Sequence, residues 1–428
     1  MVAALPAGAA EADPGAGEAE AAGAADEAGE AAEADGALGH GGGGRGGSTC
    51  AGGAEAHAAC SRESARTGAN GWDRMREQST LAGVNPRFSL PPFPSGWYGV
   101  CAADELAREG VVARTICGRE VAAYRTASGQ PRVVDAACPH LGAHLGHTSR
   151  VEGETLRCSF HGFRFDATGR CVETGYGTRP PPKCVLAGWP VHEVNGFVLA
   201  WFDPAGRAPS WSVPAAPKEG RWTRTRSRLI RLPAHVQDLA ENSVDVGHLS
   251  HVHGYRDIES LGALVIDGPV LRARYAFRHP RGLWGVGKNA RAEIDIRVHG
   301  LGYSQVEVTM PEVGFRSRQF VLATPADGEH VDLRVGMCMS LVAGARGAMP
   351  RVLARTPGPL FDRLMGGIGF RAFVADVQAD VPIWSTKHYV DPPGLAEGDG
   401  PIGRYRRWAR QFYPQLARPA ADAATPAA

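Results

Sequence analysis

Two sets of alternating apolar and polar positions predict the folded part of the chain. Short runs follow one another up to about residue 202, separated by Gly, Pro and Asn turns. This alternation predicts half-buried strands of a small antiparallel barrel. The strand candidates are 111–117, 121–125, 132–135, 155–157 and 164–166, with an Asn195-Gly196 hairpin turn between 189–194 and 197–202.

A second set of longer runs follows, also separated by Gly or Pro turns, and predicts an antiparallel meander. Its members are 264–278, 291–299, 303–310, 316–323 and 330–342. The apolar residues Phe373, Val377 and Val381 then recur at helical spacing. They predict a helix from Leu360 to Val381, with Pro382 marking its end or a kink.

Composition and charge narrow the class of protein. The chain has 428 residues, enough for two domains, and 43% of them are hydrophobic. A formal net charge of +1 gives no reason to expect nucleic acid as a partner. No apolar run approaches the roughly 18 residues that span a bilayer. The nine cysteines are scattered and odd in number, which predicts a reducing, cytoplasmic setting and not a disulfide framework.

Both ends of the chain lack these patterns. The first 70 residues or so are dominated by Ala, Gly and Glu and contain no aromatic residue. Such a segment cannot bury enough apolar surface to offset its ordering entropy. We expect a disordered tail at residues 1–75 and a flexible tail at 417–428.

Two Cys-His pairs form the main chemical signature. The first is Cys138 with His140, and the second is Cys158 with His161, with seventeen residues between His140 and Cys158. Glycines lie beside both pairs, which allows loop backbone to approach a bound group closely. In a Rieske [2Fe-2S] centre two Cys hold one iron and two His hold the other. The spacing resembles the Rieske consensus of the ring-hydroxylating oxygenases, which implies that these four residues bind a [2Fe-2S] cluster.

A structural zinc ion is the alternative at these four residues, because two Cys and two His also make a tetrahedral zinc site. Zinc-finger spacings place the two Cys together and the two His together. In this chain the two residue types alternate. That order favours the cluster.

Residues 233–253 carry a second group of potential ligands. Proline at the start and apolar residues at helical spacing predict a helix. On it Asp245 and His248 are three apart and share a face, so that the carboxylate can fix the imidazole tautomer. Periodicity alone prefers His251 over His253 as the partner of His248. The structural alternative is a histidine-rich helix end that caps its own carbonyls.

The order Asp-x-x-His-x-x-x-x-His resembles the mononuclear-iron motif of Rieske oxygenases. Asp245, His248 and His253 match this motif. The resemblance implies that the two His residues bind one iron ion. This requires the helix to end or distort near residues 249–252.

A carboxylate from the later helix can complete a two-His-one-carboxylate site, which leaves iron positions open for oxygen. Asp376 and Asp380 lie four apart along one edge of the apolar stripe. Spacing cannot choose between them, and ordinary salt-bridged helix acids are the alternative for each.

These motifs make residues 85–416 similar to the oxygenase component of a Rieske non-heme iron oxygenase. Within that superfamily, the chain most resembles the branch of the 3-ketosteroid 9α-hydroxylase oxygenase and the cholesterol 7-desaturases. The residues that carry this likeness are 138–146, 380–384, 399–402, 406–408 and 411–413. In that branch an Asp just ahead of an Ile-Trp pair is the third iron ligand, which favours Asp380.

The resemblance implies an α+β fold. An N-terminal all-β Rieske [2Fe-2S] domain would occupy 85–210. A helix-grip catalytic domain, an antiparallel sheet flanked by helices, would occupy 218–416. The resemblance also implies a homotrimer, in which the cluster of one subunit serves the mononuclear Fe(II) of its neighbour and Asp245 forms the bridge.

The implied reaction uses O2 and electrons derived from NAD(P)H to hydroxylate, desaturate or dealkylate a substrate. The chain has no Gly-rich dinucleotide fingerprint and no plant-type ferredoxin Cys run. A separate reductase, with or without a ferredoxin, is therefore expected as the electron donor. No Arg or Lys cluster accompanies the iron motif, which favours a small hydrophobic substrate. The resemblance to the sterol branch implies a steroid as one candidate.

Two alternatives remain open from the sequence. One keeps the superfamily but changes the substrate to an aromatic acid, a methoxyarene or a secondary metabolite. The other is a Rieske-type electron carrier with an appended binding domain, although a carrier needs no second ligand motif. The sequence names neither the substrate nor the position of attack.

Overall fold

The computed structural model of the protein describes residues 87–416, apart from 218, 281–288, 342–354, 356 and 357. The tails predicted at 1–75 and 417–428 lie outside the described residues. Among the helices that are described, none is long and apolar enough to cross a lipid bilayer.

The N-terminal part consists of short antiparallel strands. The strands are β1 (Gly96–Ala102), β2 (Val111–Ile116), β3 (Arg119–Arg125), β4 (Pro131–Asp135), β5 (Ser149–Glu152), β6 (Thr155–Cys158), β7 (Arg164–Phe165), β8 (Cys171–Glu173), β9 (Val191–Val194) and β10 (Phe197–Phe202). They form three small sheets with the orders β1-β10-β9, β2-β3-β4 and β5-β6-β7-β8. Two short helices interrupt them, α1 (Ala103–Glu109) and α2 (Leu145–Thr148). The predicted strands and the Asn195-Gly196 hairpin are all present.

Strand β3 is buried on both faces and separates two cores. Val121 and Ala123 face the core inside the barrel. Ala122 and Tyr124, on the opposite face, pack into a core that also contains Cys138 and Cys158. Because both faces of β3 carry apolar side chains that pack into a core, the strand supports the two Cys-His loops on their core side.

The C-terminal part is one large antiparallel sheet with helices packed against it. Its strands are β11 (Arg226–Pro233), β12 (Arg256–Ser260), β13 (Val265–Asp267), β14 (Val270–Arg278), β15 (Arg291–His299), β16 (Tyr303–Met310), β17 (Phe315–Pro325) and β18 (His330–Leu341). The order is β11-β18-β17-β16-β15-β14-β12, and β13 pairs with β14. The helices are α3 (Val236–Glu241), α4 (Gly247–His251), α5 (Gly358–Thr386) and α6 (Ile402–Ala409). The predicted α+β fold class, with a helix-flanked antiparallel sheet, is confirmed.

The prediction of one strand over 264–278 is wrong. The segment is a hairpin, in which Asp267 of β13 pairs with Val270 of β14. Gly268 occupies the turn with a φ of +50°. Pro269 follows it and has no N–H to donate to a ladder, so the chain reverses here.

Pro382 was predicted to mark an end or a kink of helix α5, and the helix does not end there but continues to Thr386. Packing and side-chain hydrogen bonds stabilise the last turn. Trp384 is only 5% exposed, and its carbonyl accepts a hydrogen bond from Arg87 at 3.1 Å. The Thr386 hydroxyl donates to the Pro382 carbonyl at 2.8 Å. These contacts compensate for the hydrogen bond that proline cannot make.

Hydrogen bonds and an ion pair join the barrel to the large sheet. The backbone amides of Cys117 and Gly118 donate to the carbonyls of Pro325 and Ala326 at the end of β17, at 2.7 and 2.6 Å. Arg334 of β18 and Glu105 of α1 form a buried ion pair at 2.8 Å. The division into domains at 85–210 and 218–416 stays a prediction.

Candidate metal centres

The two Cys-His loops have the same backbone hydrogen bonds. In the first loop the Cys138 amide donates to the Ala143 carbonyl and the Gly142 amide returns to the Cys138 carbonyl, at 2.9 and 2.8 Å. In the second loop the Cys158 amide donates to residue 163 and the amide of Gly162 returns to Cys158, at 2.9 and 3.0 Å. Gly142 and Gly162 have φ values of +76° and +70°, a conformation that favours glycine. The two facing loops therefore have the same backbone conformation.

The side chains of these loops separate into a thiol pair and an imidazole pair. Cys138 and Cys158 are buried in the core behind the loops. The rings of His140 and His161 lie nearer the surface, with centroids 4.8 Å apart and planes at 82°. The His140 ring also stacks on Phe163 at 4.1 Å. Two thiols on the inner side and two imidazoles on the outer side match the division of ligands in a Rieske cluster.

A single zinc ion does not fit this arrangement. Zn–S and Zn–N bonds of about 2.3 and 2.0 Å would place all four ligand atoms within about 4 Å of one another. Among the described residues, the only group of three or more His, Cys, Asp or Glu ligand atoms within 4.8 Å of one another lies elsewhere in the chain. The ligand atoms of these four residues therefore do not form the single compact group that one zinc ion needs.

Burial raises the pKa of the Cys138 thiol to about 11, although a hydrogen bond with the His140 backbone opposes this shift and the nearby Cys158 sulfur adds to it. Without a metal, the Cys138 thiol keeps its proton at neutral pH. Binding of a cluster must then release that proton, so the affinity is expected to rise with pH.

His248, His253 and Asp380 converge in the second part of the chain. Their ligand atoms lie within 4.8 Å of one another. The His253 Nε2 atom is 3.5 Å from the Asp380 Oδ2 atom, and the two imidazole centroids are 5.3 Å apart. Asp380 is 7% exposed and has no Lys or Arg partner among the described residues. A metal ion would offset the cost of burying that carboxylate, and two imidazoles with one carboxylate are the ligand set of non-heme Fe(II) oxygenases.

The segment that carries the histidines is two short helices and not the single helix that the sequence predicted. Asp245 lies in the turn between α3 and α4, so the prediction that it shares a helix face with His248 is wrong. Its Oδ1 accepts the His248 backbone N–H at 3.1 Å, a local bond that begins α4 and competes with continued helix. The Asp245 carbonyl lies 2.7 Å from the His248 Nδ1, which leaves Nε2 free for a metal.

Helix α4 ends at His251, within the interval where an end was expected. His251 is exposed, and its Nδ1 lies 3.1 Å from the Gly247 carbonyl. It takes no part in the group of three, so the preference for His251 from periodicity alone is wrong. The end of the helix instead allows His253 to turn towards Asp380.

Asp376 has a different partner. Its Oδ2 accepts a hydrogen bond from the Tyr255 hydroxyl at 3.2 Å. Asp376 is not one of the three converging groups. This geometry supports Asp380, and not Asp376, as the third ligand.

Sequence reasoning missed the residues that hold the two halves of this site together. Tyr255 stacks on His253 with centroids 5.4 Å apart. The Trp384 indole N–H donates to the Asn242 side-chain oxygen at 3.4 Å. The one available signal was the helical spacing of Asp376, Asp380 and Trp384, which places all three on one face of α5.

Comparison with known families assigns both parts of the chain. Residues 96–186 match the Rieske [2Fe-2S] domain. Residues 200–413, half of the chain, match the 3-ketosteroid 9alpha-hydroxylase C-terminal domain.

Curated relatives cover most of the chain. The cholesterol 7-desaturase of Caenorhabditis elegans is 28% identical over 364 residues, which are 80% of this chain and 82% of the relative. The Bombyx mori enzyme is 28% identical over 76% of this chain and 70% of the relative. The oxygenase component of 3-ketosteroid-9-alpha-monooxygenase from Rhodococcus rhodochrous is 26% identical, over 69% of this chain and 75% of the relative.

Solved structures share the fold. Dicamba monooxygenase bound to 3,6-dichlorosalicylic acid superposes with a TM-score of 0.57 at 21% identity, over 76% of this chain and 98% of that one. NdmA of Pseudomonas putida CBB5 with caffeine gives 0.54 at 16% identity, over 76% and 90%. These identities support the fold alone. With both family domains matched in order along the chain, this protein belongs to the Rieske oxygenases, and its C-terminal part is a 3-ketosteroid 9α-hydroxylase C-terminal domain.

Proposed function

We propose that this oxygenase component hydroxylates or desaturates a steroid-like hydrophobic substrate, as a homotrimer in the cytoplasm. The observation that carries the proposal is the convergence of His248, His253 and Asp380 inside a C-terminal domain of the 3-ketosteroid 9α-hydroxylase type. Relatives from both the hydroxylase and the desaturase groups support the substrate class. All seven described cysteines are free thiols, which supports a reducing compartment.

As a Rieske oxygenase component, the chain uses a [2Fe-2S] cluster and a mononuclear iron, with O2 and electrons from a reductase or ferredoxin. In our proposal Cys138, His140, Cys158 and His161 hold the cluster. His248, His253 and Asp380 hold the iron. When bound, these groups supply one-electron transfer and oxygen activation.

The protein's own side chains prepare both centres. The Asp245 carbonyl fixes the His248 ring by accepting its Nδ1–H, so that only Nε2 faces the metal. Asp380 supplies negative charge in a buried position, which favours a divalent cation over an empty site. The Tyr255 ring packs on His253, and the Phe277 ring packs on Tyr255.

Exposed apolar side chains around the imidazole pair support assembly with a second copy of the chain. Leu141, Phe160 and Tyr176 are 66%, 60% and 59% exposed, and Tyr176 lies within 6.4 Å of both imidazole rings. Apolar side chains grouped on one surface favour burial against a partner. In a homotrimer this surface would meet the neighbouring subunit, and Asp245, whose side chain is 32% exposed, would lie between the two metal centres.

Substrate-dependent oxygen uptake tests the proposal. The purified protein, with a reductase, a ferredoxin and NADH, would receive a 3-ketosteroid, cholesterol, dicamba or caffeine in separate assays. We expect uptake with the 3-ketosteroid or cholesterol only. Mass spectrometry separates hydroxylation, a gain of one oxygen atom, from desaturation, a loss of two hydrogen atoms.

Uptake with dicamba or caffeine alone would overturn the steroid assignment. Reduction of the cluster without uptake on any substrate would favour the electron-carrier alternative. The oligomeric state is measured separately, by light scattering of the same preparation, and a monomer would overturn the homotrimer.

Replacing Asp245 with alanine is expected to keep both metals and to lower turnover by about 100-fold. The Nδ1–H of His248 is held by a backbone carbonyl and survives the change, so the iron ligand stays oriented. The carboxylate proposed to bridge the two centres is lost. Metal analysis and stopped-flow reduction, followed by oxygen uptake, measure these effects.

Asp257→Ala is a matched control, because Asp257 lies in the same region but its side chain is 75% exposed and is paired with Arg278. It should retain wild-type turnover. Loss of mononuclear iron from Asp245→Ala would show that Asp245 is a ligand and not a bridge.

A further inference from the structure

The two histidines of the iron site are held in different ways. His248 has the hydrogen bond that metal-binding histidines usually make through their second nitrogen, from Nδ1 to a backbone carbonyl at 2.7 Å. The Nδ1 of His253 is buried and has no hydrogen-bond partner among the described residues. Something other than a hydrogen bond must therefore fix the plane of the His253 ring.

An aromatic stack holds the plane of the His253 ring. The ring of Tyr255 lies over His253, with centroids 5.4 Å apart and planes at 28°. Tyr255 also stacks on Phe277 of β14, at 4.1 Å and 3°. Phe277 is 4% exposed and is part of the sheet core, so the sheet fixes one end of the stack.

The hydroxyl of Tyr255 ties the stack to helix α5. It donates to Asp376 at 3.2 Å, one helical turn before Asp380. One helical turn after Asp380, the Trp384 indole N–H donates a second hydrogen bond, to the side-chain oxygen of Asn242. The histidine segment is thus joined to α5 on both sides of the carboxylate ligand.

We infer that Tyr255 and Asp376 are positioning residues for the iron site. The stacked Tyr255 ring sets the ring plane of His253. The hydrogen bond between the Tyr255 hydroxyl and the Asp376 carboxylate sets the distance of His253 from Asp380. This inference rests on the proposed function, because it assumes that His253 and Asp380 share one metal ion. It gives Asp376 a role distinct from that of a ligand.

Iron release tests the inference without turnover. The holoenzyme is mixed with an excess of a colorimetric Fe(II) chelator, and the loss of mononuclear iron is followed with time. Tyr255→Phe and Asp376→Ala each remove one partner of the same hydrogen bond. Each should release iron about 10-fold faster than the wild type, in the range found for outer-shell partners of metal ligands.

Three further variants separate positioning from general destabilisation. The double variant Tyr255→Phe/Asp376→Ala should release iron no faster than either single variant, because both remove one interaction. Asp376→Asn keeps an oxygen acceptor and should restore slow release. Tyr303→Phe removes a different buried tyrosine hydroxyl, bonded to Asn195, and should behave as the wild type.

Wild-type release rates in both Tyr255→Phe and Asp376→Ala would overturn the inference. Complete absence of iron from Asp376→Ala and Asp376→Asn alike would also overturn it, because Asp376 would then be a ligand. A wild-type protein that binds no mononuclear iron under anaerobic loading would refute the proposed function instead, so the two failures are distinguishable.

Discussion

Asp380→Ala is expected to yield a folded protein that no longer retains mononuclear iron and shows no substrate-dependent oxygen uptake. The change removes the only carboxylate among the three converging ligand groups. Loss of a direct ligand should weaken iron binding by more than the 10–100-fold typical of outer-shell partners, so by upwards of about 100-fold. Metal analysis after gel filtration and oxygen uptake on the same sample measure both effects.

The fold should survive this change. Asp380 is 7% exposed, and among the described residues its ion-pair partner is His253, so alanine removes a buried charge without stranding a buried Lys or Arg. The [2Fe-2S] absorption should be unchanged, because the cluster loops lie in a separate core. Far-ultraviolet circular dichroism checks the fold.

Asp376→Ala is the matched control on the same helix face. It should bind iron at equilibrium in excess Fe(II), although it releases the metal faster. If Asp376→Ala failed to bind iron and Asp380→Ala retained it, the assignment of the third ligand would be reversed.

The cluster loops could be predicted from sequence because everything that forms them is local. Each loop is closed by hydrogen bonds between residues four and five apart, with a glycine at the position of positive φ. A few consecutive residues are enough to encode such a loop. The strands around the loops were predictable for the same reason, since their alternation is local.

The iron site could not be completed from sequence, because long-range contacts decide it. Asp376 and Asp380 have the same spacing pattern but different long-range contacts. Asp376 accepts a hydrogen bond from Tyr255, whereas Asp380 lies beside His253. Likewise, His251 is excluded because α4 is a separate short helix that begins after Asp245, where the Asp245 side chain accepts a hydrogen bond from the His248 amide. Helical periodicity does not encode this break.

Two predicted elements of the fold have the wrong bounds, each for its own reason. The helix was predicted over 360–381, with an end or a kink at Pro382, and an alternating run was expected to give one strand over 264–278. In the structure, buried Trp384 extends the helix past the proline, and the turn at Gly268 breaks the strand. Local propensity is a weak guide wherever tertiary packing or a single turn residue acts against it.

Cys158→Ser is expected to abolish the [2Fe-2S] cluster. A serine hydroxyl does not ionise in the range where a thiol does, so it cannot replace the thiolate that an iron–sulfur cluster requires. Iron should fall from roughly three atoms per chain to about one, and acid-labile sulfide from about two to none, the counts expected for one cluster and one mononuclear site. The visible absorption and the EPR signal of the reduced cluster should vanish together.

Cys171→Ser is the matched control for this variant. Cys171 packs against the same core as Cys158, but its thiol donates to the Glu173 carbonyl at 3.3 Å, a bond that a serine hydroxyl can keep. It should retain the full iron and sulfide content. An unchanged cluster spectrum in Cys158→Ser would exclude the proposed ligand set, whereas loss of the cluster with retention of the mononuclear iron would show that the two centres assemble independently, as expected when the two ligand sets belong to separate cores of the fold.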